Sequence, residues 1–175
     1  TYHYVDSNGK FGDFEHFSRT SDGKITYCIE PGVPLSYDVY QGYYGMPTEE
    51  LASKVGLTRQ QLYQSALVAH YGYGYADHVG NEWIVATQAM IWNITGRSFQ
   101  FTSRNYSANP WQYVISTPVE IQTKMNEINR LISEYEMTPD FPTTRPTIIL
   151  GQSYVLTDND NIISNYQVES CENCQ

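Results

Sequence analysis

Apolar positions along the chain change period twice. Near the start they alternate: in Lys24-Ile25-Thr26-Tyr27-Cys28-Ile29-Glu30-Pro31-Gly32, residues Ile25, Tyr27 and Ile29 share one face, and Thr26 and Cys28 the other. That pattern predicts a short strand closed by a Pro-Gly turn. Tyr2 to Val5 reads as another extended piece, with turn signals at Ser7-Asn8-Gly9 and Ser21-Asp22-Gly23. Residues 31 to 47, punctuated by Pro31, Gly32, Pro34, Gly42, Gly45 and Pro47, read as loop.

Helical spacing then takes over. Thr48 can cap a short helix through Val55, and Thr58 with Gln61 three residues on forms a capping-box start for a helix to about His70. Gln60, Gln61 and Gln64 read as its solvated face. Asn81 could cap a helix that stops near Asn93 to Gly96. Thr117-Pro118-Val119-Glu120 opens the last helix, which places Ile121, Met125, Ile128, Leu131, Ile132 and Tyr135 on one face. Beyond Pro139, Pro142 and Pro146 the pattern is extended again, over 147–150, 153–157 and 162–169, with Asp158-Asn159-Asp160-Asn161 as a turn. The fold class is therefore α+β. One domain is expected over 1–175, mainly helical from about 47 to 138 and mainly strands and loops over 1–46 and 139–175, with the proline-rich stretch 139–146 as the plausible linker.

Two residues do not fit a purely structural pattern. In Trp83-Ile84-Val85-Ala86-Thr87-Gln88-Ala89-Met90-Ile91-Trp92 nearly every side chain is apolar, so the helix is buried around most of its circumference and Gln88 with it. An unpaired amide there costs about 1–3 kcal/mol, so Gln88 needs partners or a chemical purpose. Cys28 lies on the strand face opposite the apolar residues, just before a turn, which is a poor place for core filling.

Together these segments resemble the thioester domain of Gram-positive surface adhesins, also called the TQXA domain. The likeness rests on Tyr27-Cys28-Ile29-Glu30 followed some sixty positions later by Thr87-Gln88-Ala89-Met90-Ile91-Trp92. It extends to Val68-Ala69-His70-Tyr71-Gly72-Tyr73-Gly74 and to Leu156-Thr157-Asp158. The resemblance implies that the Cys28 sulfur attacks the Gln88 carboxamide, ammonia leaves, and an internal thioester joins strand to helix. It also implies a helical region packed beside a β-sandwich-like part built from N- and C-terminal strands. The function implied is single-turnover covalent capture of a lysine amine on a host extracellular or cell-surface protein, leaving an isopeptide on Gln88; such a chain is not an enzyme. Trp83, Ile84 and Trp92 would shield the bond from water. His70 and His78 are candidates for activating the amine, although a surface or capping role fits each of them as well.

Composition adds to this picture. Sixteen tyrosines against six phenylalanines suggest many half-exposed rings suited to contact with proteins or glycans. A net charge of −9 opposes nucleic acid and anionic membranes. No apolar run approaches the roughly eighteen residues of a membrane span. Neither a signal peptide nor a sorting tail is recognisable, so wall attachment is expected through regions outside these residues, in a longer multidomain protein on the bacterial surface in which this module is a monomer. No cofactor is expected. Cys171-Glu172-Asn173-Cys174 lacks the two further ligands of a zinc site, which leaves a local disulfide or two thiols. Asp158-x-Asp160 lacks the downstream glycine and glutamate of a calcium loop. Gly72-x-Gly74 lacks the spacing of a nucleotide loop. Two other functions compete: a cysteine hydrolase or acyl transferase with Cys28 as nucleophile and His70 or His78 as base, and a non-covalent binding module with tyrosine-rich loops.

Overall fold

The computed structural model describes residues 1–15, 17–18, 25–29, 46–47, 53, 56–104, 112–137, 148–150, 155–158 and 165–169. Among them the elements run β1 (His3–Asp6), β2 (Phe11–Asp13), β3 (Phe17–Ser18), β4 (Ile25–Cys28), β5 (Met46–Pro47), α1 (Arg59–Tyr71), α2 (Asn81–Thr95), β6 (Phe99–Thr102), α3 (Val119–Met137), β7 (Ile148–Leu150), β8 (Val155–Asp158) and β9 (Asn165–Glu169). The fold is α+β.

The strands form two sheets. One is antiparallel with order β2-β1-β6, and the other has order β3-β4-β7-β8-β9-β5. In the second, β4 lies parallel to β7, with Tyr27 opposite Ile149 and Cys28 opposite Leu150. The C-terminal strands thus return to the strand that carries Cys28.

The helices obey their end signals with one exception. Thr58 caps α1 in a complete capping box: its hydroxyl accepts from the Gln61 N–H at 3.0 Å, and the Gln61 side chain accepts from the Thr58 N–H at 2.9 Å. Gln61 also donates to the Ile94 carbonyl at 3.1 Å, which ties the start of α1 to the end of α2. Gln61 is therefore a structural residue and not part of a solvated face, whereas Gln60 and Gln64 are exposed. Thr58→Ala is expected to cost about 1 kcal/mol, read as a lowered denaturant midpoint with unchanged slope. α2 ends where expected, on Gly96 in the left-handed region (φ 91°). Its start differs from expectation. Asn81 is the first helical residue, and the cap is Gly80 at φ 100°, with no side-chain cap bond. A backbone reversal that only glycine adopts readily sets the entry, so the Asn81 side chain has no capping task. α3 begins at Val119, next to Pro118, whose carbonyl accepts from Ile121 and Gln122.

The core lies where the three helices meet β4. Leu62, Ile91, Ile121, Ile128 and Ile29 are fully enclosed, and Met125, Leu131, Ile132 and Tyr135 pack against them along α3. Two strands interrupt segments read as something else. Phe99–Thr102 lies inside the stretch assigned to helices; its Phe-Gln-Phe-Thr alternation is too short to stand out, and pairing with β1 makes it a strand. Met46–Pro47, read as loop, pairs with β9. The helix expected from Thr48 to Val55, apart from helical Ser53, lies outside the described residues, as do the linker 139–146, the turn at 159–161 and the Cys171–Cys174 pair.

Candidate functional site

Gln88 sits at the middle of α2 and is 4% exposed. Its amide has found both partners on one residue. The side-chain oxygen accepts from the Cys28 backbone N–H at 2.8 Å, and the side-chain nitrogen donates to the Cys28 carbonyl at 3.0 Å. The carboxamide is clasped as a neighbouring strand's peptide would be. Its carbon lies between the two bonded atoms, beside the residue whose side chain is the thiol. Cys28 is partly exposed, while its neighbours Tyr27 and Ile29 are buried.

This geometry has electronic consequences. The Cys28 N–H polarises the Gln88 carbonyl and faces the place where negative charge would develop if sulfur attacked the carbon. The Cys28 carbonyl holds the nitrogen that would depart. Folding thus brings a carboxamide and a thiol-bearing residue together, as an intramolecular exchange between them would require.

The threonine beside Gln88 meets the preceding residue of the same strand. Thr87 is fully buried; its hydroxyl donates to the Trp83 carbonyl at 2.7 Å and accepts from the Tyr73 N–H at 3.0 Å. The Tyr27 phenol reaches toward this hydroxyl, and burial pushes its pKa well above the ordinary tyrosine value. Thr87 thus lies beside the Tyr27 side chain, and Gln88 anchors Cys28 through its backbone. The Thr-Gln dipeptide sets the register of β4 on α2. Gly72 makes room for this: a Cβ there would lie 2.2 Å from the Thr87 hydroxyl oxygen. Neither Thr87 nor Gly72 stands out in the sequence as a site residue. The available signal was a second polar side chain within the apolar helix, raising the same question as Gln88.

Both histidines are buried at 5% exposure, which overturns a surface role for either. The His78 Nδ1 hydrogen points between two acceptors, the carbonyls of Tyr71 at 2.9 Å and Gly72 at 3.0 Å, and so orders the turn between α1 and α2. Its ring stacks on Trp83 at 3.5 Å between centroids. His70, in the last turn of α1, packs edge-on against Tyr71 and Tyr75.

The two tryptophans separate. Trp83 precedes Gln88 by five residues, about 140° around the helix, and is engaged by His78 and by Lys124, which also pairs with Glu82 at 2.9 Å. It belongs to another face of α2 from Gln88. Trp92 is one turn from Gln88 on the same face, within a cluster of Tyr4, Phe14 and Phe99, and the Arg97 guanidinium lies 4.1 Å above its ring. That cluster seats the three-stranded sheet on α2. Ile84, one turn the other way, is buried.

A groove of about 450 Å³ runs between the three helices, floored by Leu67, Met90 and Met125 and rimmed by Gln64, Asn93 and Asn129. Met90 and Asn93 face away from Gln88 on α2, so this groove is separate from the Cys28–Gln88 contact. Among the described residues no group of three or more His, Cys, Asp or Glu side chains could hold a metal, and no helix is long and apolar enough to cross a membrane.

Comparison with protein families decides the class. A family model described as thioester domain, TED, matches residues 25–130, more than half of the chain. The chain belongs to the thioester domain family. The match begins at β4 and ends within α3, so both elements of the site lie inside it. Searches of curated proteins and of solved structures find no match. Family membership makes this thioester domain an adhesin-type module.

Proposed function

We propose that this thioester domain forms an internal thioester between Cys28 and Gln88 and uses it once, to capture a lysine amine of a host protein at the bacterial surface. The observation that carries the reading is the double hydrogen bond between the Gln88 carboxamide and the backbone of Cys28. In the first step the Cys28 sulfur bonds to the Gln88 side-chain carbon, the carbon–nitrogen bond breaks, and the thiol proton leaves with the nitrogen as ammonia. In the second, an amine bonds to the same carbon, the carbon–sulfur bond breaks, and one amine proton passes to sulfur. The products are an isopeptide and a regenerated thiol, but the original carboxamide is gone. The cycle cannot repeat, which separates this reading from that of a cysteine hydrolase.

Intact-mass measurement of the purified chain tests it. The expected result is a mass one ammonia below that calculated from the sequence, restored by methylamine to the calculated mass plus that of a methylene. Peptide mapping should place the methylamide on Gln88. A chain at full calculated mass that ignores methylamine removes the thioester. Repeated turnover of an amide substrate would favour the hydrolase.

A further inference from the structure

We infer that the Cys28 carbonyl is the amine-binding element of the site, and that it restricts the acceptor to ammonia and primary amines. The inference rests on the proposed thioester and adds a specificity to it. In the structure this carbonyl accepts the Gln88 side-chain N–H at 3.0 Å. Ammonia leaves from that position when the thioester forms. By microscopic reversibility ammonia would return along the same path, and a substituted amine must place its nitrogen there too.

The hydrogens on that nitrogen decide what can pass. A primary amine bonds to the Gln88 carbon with two hydrogens, gives one up as sulfur departs, and keeps the other to donate to the Cys28 carbonyl. The product amide reproduces the observed pair when its substituent lies on the side away from the Gln88 oxygen, with the Cys28 N–H still bonded to that oxygen at the 2.8 Å position. A secondary amine has a single hydrogen to give. Once that proton has gone to sulfur, a second carbon substituent points at the Cys28 carbonyl across a nitrogen-to-oxygen gap of 3.0 Å, which cannot hold a methyl group. The hydrogen bond is lost and the substituent clashes, so discrimination of at least about tenfold is expected from the lost bond alone.

Ethylamine and dimethylamine provide the test, because they are isomers of similar size and basicity and add the same mass. Their rates of addition to the full chain are followed by intact mass and divided by their rates with a small alkyl thioester in free solution. The expected result is a normalised ethylamine preference of tenfold or more. Equal normalised rates would overturn the assignment of the Cys28 carbonyl while leaving the thioester in place. Failure of the thioester itself is seen separately, before any amine is added, as a starting chain with no ammonia deficit. Ammonia at high concentration is the complementary arm: it should return the chain to its full sequence mass, whereas restored mass from water alone would exceed this by about one unit and mark hydrolysis.

Discussion

Gln88→Glu is expected to abolish the ammonia deficit and every covalent adduct while leaving a folded chain whose stability depends on pH. Glutamate has nearly the shape of glutamine but no ammonia to release, and a carboxylate is not an acyl donor for a thiol. Its effect on folding follows from the same two hydrogen bonds. A protonated carboxyl at position 88 can accept from the Cys28 N–H and donate to the Cys28 carbonyl, as the amide does. An ionised one turns a second acceptor toward that carbonyl in a site where residue 88 is 4% exposed. Burial and the facing carbonyl both favour the neutral form, so the folded-state pKa of the introduced carboxyl lies above its unfolded value of about 4.3. A raised pKa makes the contribution full below the unfolded value and lost as pH rises through the folded one. The variant should therefore approach the uncrosslinked wild type in stability near pH 4 and fall about 1–3 kcal/mol below it at neutral pH. Urea midpoints at several pH values check this.

The proper reference for that comparison is the methylamine-opened wild type. The proposed thioester, between residues sixty apart, would close a long loop in the unfolded chain, and by analogy with a disulfide its opening alone should cost up to about 4 kcal/mol. Cys28→Ala then separates the two contributions. It removes the proposed nucleophile and with it the proposed crosslink, but Gln88 bonds to the backbone of residue 28, which alanine preserves. That variant is expected to unfold with the opened wild type at all pH values, in contrast to Gln88→Glu.

That Cys28 and Gln88 stand out in the sequence, and the residues that surround them do not, has a physical reason. Each of the two violates a local pattern: an amide at the centre of an apolar helix, and a thiol on the outer face of an alternating strand. Local periodicity is short-ranged and legible. So were the capping box at Thr58 and Gln61, the stop at Gly96 and the apolar face of α3, all set within a few residues. The contacts that organise the site are long-ranged. The parallel pairing of β4 with β7 joins positions more than a hundred residues apart, and no local signal encodes a partner at that distance. Trp83 and Trp92 look equivalent in the motif helix, yet one meets His78 and the other meets Tyr4 and Phe14, because different elements cover different sides of α2. Gly72 reads as a helix stop; what it clears space for depends on another helix.

That clearance leads to the second large effect. Gly72→Ala introduces a Cβ at 2.2 Å from the Thr87 hydroxyl oxygen, 2.7 Å from its methyl carbon and 2.8 Å from the Val68 carbonyl. The carbonyl belongs to the last turn of α1 and already accepts the Gly72 N–H at 2.8 Å, so it has little freedom to withdraw. Thr87 must rotate instead, which abandons the Tyr73 N–H at a fully buried hydroxyl. Overpacking costs about 1–3 kcal/mol and an orphaned buried polar group a similar amount, so the expected loss is about 3 kcal/mol or more. The chemistry should suffer with the stability, since Tyr27 is the residue before the nucleophile: a smaller fraction of the folded chain is expected to carry the ammonia deficit. A double variant tells this origin from a general weakening. Thr87→Ala removes both Thr87 atoms that the new Cβ would strike, so Gly72→Ala should cost markedly less in that background than in the wild type, a coupling of the size seen between contacting residues. Strict additivity in the denaturant midpoints would instead place the strain at the Val68 carbonyl, and Thr87 would no longer be the residue that Gly72 accommodates.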